Sequence, residues 1–157
     1  KRCKDCDMNN GKMELVFVPE NELCAACKLV RELAKADAKQ TRAAAKPLQG
    51  TIIRNTHFHH DVNITGTSIR EWTNQPHKHF KAKNQMLLDI NNVFSNAAYL
   101  GTTDNHKGIK RVVQSHIFEV EVSGEKNLLI VREYDWGEYV LHSISDSPEL
   151  YNKIKKE

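Results

Sequence analysis

The sequence predicts an α+β fold, because segments with helical periodicity come first and strand-like runs joined by short turns come last. Two pairs of cysteines at the start of the chain predict a zinc ribbon ahead of the helices. An alanine-rich segment after them predicts a connecting helix. The expected architecture is therefore an N-terminal zinc ribbon and connector helix, followed by two helices packed on a four-stranded antiparallel sheet.

Length and composition favour one domain with a small appendage. The chain has 157 residues, 39% of them hydrophobic and 27% charged, and a net charge of +3, which permits a polyanionic partner without requiring one. No apolar run reaches the roughly 18 residues of a membrane span, so no membrane partner is expected. The start KRCKDCDMNN has no apolar core, so no signal peptide is expected. Because the chain begins with Lys1 and not methionine, we expect it to be part of a longer protein.

The cysteines predict a structural zinc ion over residues 1–30. They form two Cys-x-x-Cys pairs on either side of residues 7–23, and they are Cys3, Cys6, Cys24 and Cys27. This spacing is typical of a four-cysteine zinc ribbon, in which each tight turn presents two thiolates to the metal. Two disulfides or a redox Cys-x-x-Cys motif are the less favoured interpretations.

Three helices are expected before the strands. The first runs from Ala25 to about Lys46, and its residues 31–49, ended by Pro47 and Gly50, connect the ribbon to the rest. A short helix, SIREWTNQ, stops at Pro76. A longer one from about Phe80 to Asn96 carries apolar residues at helical spacing.

Four strand-like runs follow, linked by loops or tight turns. They cover residues 98–101, 114–122, 127–134 and 138–144. Helices on one face of such a meander would leave the other face open to gather polar groups from adjacent strands. Whether Arg132 or Glu133 faces that side is not decided by the alternation. Strict alternation puts His142 beside Val140 and Ile144.

Two histidines on these strands suggest phosphodiester cleavage in RNA without a metal. His116 and His142 would act as general acid and base, and Arg132 would stabilise the charge on the phosphate. The alternative is that both histidines are ordinary strand residues and that the Arg132–Glu133 pair forms ion pairs across strands.

The runs TGTSIREWTNQPHKHFKAKNQMLLDINNVFSNAAYLG, HIFEVEV, LLIVRE and VLHSISD resemble the phage-associated nuclease domains of the barnase/EndoU/colicin/RelE-like fold. Such domains often form the C-terminal part of Mu F-like phage minor head proteins or of large polyvalent proteins. The resemblance covers residues 50–150 and implies a nuclease-fold domain over 50–157. It also implies a metal-independent ribonuclease.

The resemblance implies a set of site residues at the matching positions. They are His77, Lys78, His79, Lys83, Asn84, His116, Glu119, Arg132, His142, Ser143 and Ser145. His142 or His116 would act as acid or base, Arg132 and Lys83 would bind phosphate, and Ser145 would orient groups by hydrogen bonding.

The cluster of His57, His59, His60 and Asp61 is similar to the His-x-His-x-Asp-His ligand motif of metallo-β-lactamase-fold hydrolases. Val62 stands where that motif requires histidine, and the chain is too short for that fold. A polar strand edge or loop is therefore the favoured interpretation. Trp72 and Trp136 are expected to pack in the core or in turns rather than to stack on nucleic acid bases.

These observations give one leading hypothesis and two alternatives. The leading one is a phage- or mobile-element-associated endoribonuclease that cleaves RNA by metal-independent acid/base transesterification, in the cytoplasm or the virion. Its partners would be RNA, a parent phage protein or head assembly, and an acidic immunity protein. The first alternative is a non-catalytic head morphogenesis module with zinc-stabilised binding. The second is a metal-dependent hydrolase that uses His57, His59 and Asp61.

Overall fold

A computed structural model of the protein describes residues 25–74, 79–105 and 108–155, with the side chain of Cys27 left out. The helices are α1 (Ala25–Ala45), α2 (Gly66–Asn74), α3 (Phe80–Leu88), α4 (Ile90–Asn96) and α5 (Pro148–Lys153). The strands are β1 (Ile52–Asn55), β2 (Phe58–Asn63), β3 (Ala98–Asp104), β4 (Val112–Val122), β5 (Glu125–Tyr134) and β6 (Tyr139–Ser145). Of the zinc ribbon predicted over residues 1–30, residues 1–24 and the Cys27 side chain lie outside what the structure describes, and residues 25–30 form the beginning of α1.

The sheet has six strands and is mixed, so the expectation of a four-stranded antiparallel sheet is wrong. Its order is β1-β2-β6-β5-β4-β3, and every neighbouring pair is antiparallel except β2 with β6, which is parallel. The four predicted strand runs form β3 to β6. The two additional strands, β1 and β2, come from the segment that contains the histidine cluster. Within β2, Phe58 and Val62 are buried and the three residues between them are exposed. Three consecutive exposed polar residues hide the alternation that would identify a strand.

The described part of the chain has five α-helices, where three were expected, one connector helix and two helices on the sheet. The predicted long helix is divided at Asp89, whose backbone (φ −115°, ψ 28°) leaves the helical region. Aspartate is a poor residue for a helix interior because its side chain competes for local hydrogen bonds. Here the Asp89 carboxylate accepts from the Asn92 amide at 2.9 Å, and the Asp89 carbonyl accepts the first bonds of α4.

Helices α2, α3 and α4 cover one face of the sheet and form the core with it. The core comprises Trp72 of α2, Leu87 of α3, Phe94 of α4 and the inward residues of β1, β2, β4, β5 and β6. The indole N–H of Trp72 donates to the Lys83 carbonyl at 2.9 Å, which satisfies the polar atom of a fully buried ring. Helix α1 packs outside this layer against α2 and α3.

Among the described residues, α5 covers part of the opposite face of the sheet. This helix follows β6 and returns the chain towards β3, where Thr102 pairs with Lys155. The Tyr151 hydroxyl donates to the Glu119 carboxylate of β4 at 2.8 Å, which fixes α5 over the sheet. In the described segments, no helix is sufficiently long and apolar to cross a membrane.

Candidate active-site cleft on the open face of the sheet

A cleft of about 540 Å³ lies between α5 and the open face of β3 to β6. Four of the residues predicted as site residues line it, and all four come from the two adjacent strands β5 and β6. They are Arg132, His142, Ser143 and Ser145. Ser115 of β4 lies opposite Arg132 in the strand register and lines the same cleft. Cation, imidazole and hydroxyl groups therefore lie together on one surface.

The register of β5 decides which of its two charged residues faces the cleft. Arg132 lies on the same face as Ile130, and both line the cleft. Glu133, the next residue, points to the opposite face because successive side chains of a strand alternate. The orientation that the sequence left open is therefore Arg132 towards the cleft and Glu133 towards the helix side.

A β-bulge in β6 brings His142 to the cleft. Ile130 pairs with Ser143 while Val131 pairs with Leu141, so His142 is an extra residue between the two registers. Leu141 and Ile144 consequently both face the core, and Ser143 and Ser145 both line the cleft. Strict alternation would have separated His142 from Ser143. Bulges commonly redirect a side chain in this way next to functional sites.

Charged residues at the rim of the cleft come from α5 and from the ends of strands. Glu149 and Lys153 are exposed on α5 and line the cleft. Two further carboxylates already have cationic neighbours: Asp104 accepts from Lys155 Nζ at 2.8 Å, and Asp146 lies 3.6 Å from Lys83 Nζ. The predicted phosphate binder Lys83 is buried on α3, and its ammonium contacts Asp146 at the rim.

His116 lies on the other face of the sheet, so it does not meet His142 in the cleft. Its Nδ1 bonds to the Tyr99 hydroxyl at 2.9 Å and its Nε2 to the Glu133 carboxylate at 2.8 Å. The Gln114 amide donates to the same carboxylate oxygen at 2.9 Å. The ring also contacts Phe58 and Tyr139 in an aromatic cluster. The residue is 6% exposed and belongs to this buried network.

The remaining predicted residues are scattered. Glu119 accepts from Tyr151 of α5, and burial together with this contact raises the pKa of Tyr151 to about 12. His79 precedes α3 with its Nε2 3.5 Å from the Glu125 carboxylate. Asn84 donates to Asp37 of α1 at 2.7 Å. His77 and Lys78 lie outside the described residues.

The histidine cluster on β2 does not form a metal site. Across residues 25–74, 79–105 and 108–155, no three His, Cys, Asp or Glu side chains are grouped so as to hold a metal ion. Asp61 is instead bound by Arg54 at 2.6 Å, which lowers the pKa of that carboxyl. The His60 ring stacks on Tyr139 with centroids 4.3 Å apart. This segment is therefore the polar part of an inner strand, where a polar strand edge or loop was expected.

Sequence reasoning missed the charged residues of α5. A helix signal was available, because Ser147, Pro148 and Glu149 are the residue types preferred at the cap and first turn of a helix. No sequence signal could reveal the Tyr99–His116–Glu133 network, since its members lie on three strands and meet only through the register.

Residues 32–150 match the family model described as Large polyvalent protein-associated domain 3. No curated protein and no solved structure matches the chain significantly. The match spans most of the described residues and includes the whole sheet and the residues that line the cleft, except Lys153. The predicted resemblance is confirmed as far as a domain associated with large polyvalent proteins, and its nuclease component stays a prediction.

Proposed function

Given that the chain belongs to the family of large polyvalent protein-associated domain 3, we propose that it is a phage-associated endoribonuclease that needs no metal for cleavage. The substrate would be single-stranded RNA bound across the open face of the sheet. The reaction would be transesterification within the RNA backbone. The 2′-oxygen bonds to phosphorus, the 5′-oxygen leaves, and the products are a 2′,3′-cyclic phosphate and a free 5′-hydroxyl.

The observation that supports this proposal is the joint presence of Arg132 and His142 in one cleft. Arg132 supplies a permanent guanidinium charge for the phosphate oxygens, on which negative charge develops in the transition state. His142 supplies an imidazole, which can accept or donate a proton. Arg132 and His142 come from the adjacent strands β5 and β6, and because of the bulge in β6 both line the same face of the sheet.

The second proton-transfer group has to come from the cleft itself, because His116 lies on the opposite face. We assign this role to Glu149, an exposed carboxylate of α5 that lines the cleft. Glu149 would take the proton of the 2′-hydroxyl and His142 would protonate the leaving 5′-oxygen. Lys153, one turn further along α5, would add a second cation. Ser143 and Ser145 would donate hydrogen bonds to the phosphate.

The test is cleavage of a mixed RNA pool by the full chain in excess EDTA. We expect cyclic phosphate ends, and no cleavage where a 2′-deoxy nucleotide replaces the ribonucleotide, since it lacks the attacking hydroxyl. His142→Ala and Arg132→Ala should each lower the rate about 100-fold or more. Circular dichroism with EDTA present verifies that each protein is folded.

Matched controls separate the site from a general loss of charge. His59 is an exposed histidine on β2, and Arg54 is an exposed arginine on β1. His59→Ala and Arg54→Ala should cleave at the rate of the unmodified chain. Folded protein that leaves the RNA intact, or cleavage that survives both cleft substitutions, would rule out the proposal and favour a non-catalytic role in head assembly.

The four cysteines would hold one structural zinc ion. Four thiolates in two Cys-x-x-Cys pairs are a donor set that suits zinc, and such a closed site has no open position for substrate. Zinc content measured by mass spectrometry should equal one ion per chain. It should fall when Cys3 and Cys6 are both replaced by serine. Protein purified without chelator that contains no zinc would contradict the assignment.

RNA remains the proposed partner, together with a parent polyvalent or head protein that would carry the domain. An acidic immunity protein would be expected to cover Arg132 and Lys153 at the cleft. Co-purification of a stable inhibitor with the active chain, lost on Arg132→Glu, would support that partner.

A further inference from the structure

We propose that Trp136 and Tyr134 form a stacking platform for one unpaired RNA base next to the Arg132 phosphate site. The inference rests on the proposed function and extends it by assigning a base-binding subsite to the β5–β6 turn. Trp136 packs within its turn, as expected, with its ring stacked on Tyr134, but it stays open to solvent. The Trp136 side chain is 55% exposed, whereas Trp72 is fully buried.

The platform continues the cleft along a single strand. Arg132 and Tyr134 are two residues apart on β5, so they lie on the same face, about 7 Å from one another. Tyr134 pairs with Val112, and Val112 lines the cleft. Trp136 follows in the turn with its ring stacked on Tyr134, centroids 4.7 Å apart and planes inclined by 28°. A nucleotide whose phosphate met Arg132 would therefore have an aromatic surface beside it.

The turn holds the indole in a defined position. Its N–H donates to the Glu138 carboxylate at 2.9 Å, and Glu138 also accepts from the Asn63 amide of β2. Backbone bonds from Gly137 to Tyr134 and from Tyr134 to Glu138 close the turn. An aromatic ring that is already ordered loses little conformational entropy when a base stacks on it.

The charges around the platform are of both signs. The Glu138 carboxylate accepts the indole N–H at 2.9 Å. The guanidinium of Arg111 lies over the indole, 5.4 Å from the ring centroid, and its charge is offset by Asp135, to which it is bound at 3.2 Å. Stacking needs no sequence match, because every base has a π-face, so the subsite would accept any unpaired base.

The experiment measures binding of a 2′-O-methyl oligoribonucleotide, which the proposed cleavage cannot consume. A set of oligonucleotides of the same length and sequence is also measured, each with one abasic nucleotide at a different position. Affinity is measured by fluorescence anisotropy with the full chain, Trp136→Ala and Trp136→Phe. Val113→Ser is the control, because Val113 is a 50% exposed apolar residue near the same end of the sheet.

Trp136→Ala should weaken binding of the intact oligonucleotide about tenfold, since stacking on one aromatic ring contributes about 1–3 kcal/mol. Trp136→Phe should recover part of that loss. One abasic position should weaken binding to the unmodified chain by a similar factor and should have no further effect on Trp136→Ala. Val113→Ser should bind like the unmodified chain.

Three results would overturn the inference. The first is equal affinity of Trp136→Ala and the unmodified chain for the intact oligonucleotide. The second is a Trp136→Ala substitution that weakens binding of the intact oligonucleotide and of every abasic one by the same factor. The third is no binding of the oligonucleotide by the unmodified chain. Because binding is measured without cleavage, the outcome is separate from that of the ribonuclease test. If the chain binds through Trp136 but does not cleave RNA, the stacking platform is supported and the ribonuclease proposal is refuted. If the chain cleaves RNA and Trp136→Ala does not change binding, the ribonuclease proposal is supported and the stacking platform is refuted.

Discussion

Replacing Glu133 by glutamine tests how much the buried network on the helix side stabilises the sheet. The Glu133 carboxylate accepts from His116 at 2.8 Å and from Gln114 at 2.9 Å, and Tyr99 bonds to the other nitrogen of His116. Burial by itself raises the pKa of Glu133. The two hydrogen bonds, with the positive charges of His116 and His60, outweigh burial, so the pKa is lowered from its ordinary value of 4.5.

The magnitude follows from the change in charge at constant shape. Glutamine keeps an acceptor oxygen for both donors, so each bond changes from charge-assisted to neutral. Charge-assisted bonds contribute about 1.5–3 kcal/mol and neutral ones about 0.5–1.5 kcal/mol. The Glu133 side chain is 22% exposed, and water screens part of the difference. We expect Glu133→Gln to lower the free energy of unfolding by about 1–2 kcal/mol at pH 7.

The loss should depend on pH in a defined direction. A carboxyl whose pKa is lower in the folded than in the unfolded chain stabilises the fold above its unfolded pKa. It loses that contribution as the pH falls through the folded pKa. The difference between the unmodified chain and Glu133→Gln should thus be complete at pH 7 and shrink below pH 4.5. Urea unfolding followed by circular dichroism at several pH values measures it.

Glu121→Gln is the matched control, because Glu121 is an exposed carboxylate on β4. It should change the free energy of unfolding by less than about 0.5 kcal/mol at any pH. A Glu133→Gln variant as stable as the unmodified chain at pH 7 would refute the network argument. So would a loss of equal size at pH 7 and well below pH 4.5, since a protonated carboxyl has no charge to lose.

Three further substitutions test other parts of the fold. Asn55→Ala removes a buried amide that donates to two carbonyl groups at the end of α4, and should cost about 2–3 kcal/mol in urea unfolding; Asn55→Asp, which cannot donate, should be no better. Tyr151→Phe should abolish the tyrosine titration near pH 12 and lower the free energy of unfolding by about 1 kcal/mol at pH 7. The unmodified chain has this stabilisation below pH 10 and loses it as the pH rises through 12. Gly101 has φ +141°, and a Cβ there would meet the Lys155 carbonyl, so Gly101→Ala should cost about 1–3 kcal/mol and accelerate amide exchange at Lys155. Unchanged stability of any variant would contradict the contact assigned to it.

Local sequence patterns were sufficient for the strands of the meander. The runs that became β3 to β6 carry β-branched and apolar residues between clear turns, and Gly124 in the turn after β4 has the positive φ that such a turn needs. The α2 helix and the helical character of residues 80–96 also follow from periodicity. The break at Asp89 does not, because one polar residue within a periodic segment is compatible with a continuous helix.

The position of β2 could not be read from its own residues. It pairs in parallel with β6, a strand more than 70 residues further along the chain, at Val62 with Tyr139 and Asn63 with Val140. The polar exposed side of β2 weakens the alternation further. Pairing between strands that are distant in sequence depends on the assembled sheet, so the local sequence of β2 does not predict it.

The sequence by itself determined which residue types the site could use, namely Arg132, His142 and the serines of β6, together with an α+β arrangement of helices before strands. Only the tertiary structure decided which of these side chains meet. One extra residue in β6 turns His142 towards Arg132, and the register of β4 takes His116 to the opposite face. The physical reason is that strand side chains alternate, so a shift of one residue reverses the face of every side chain beyond it.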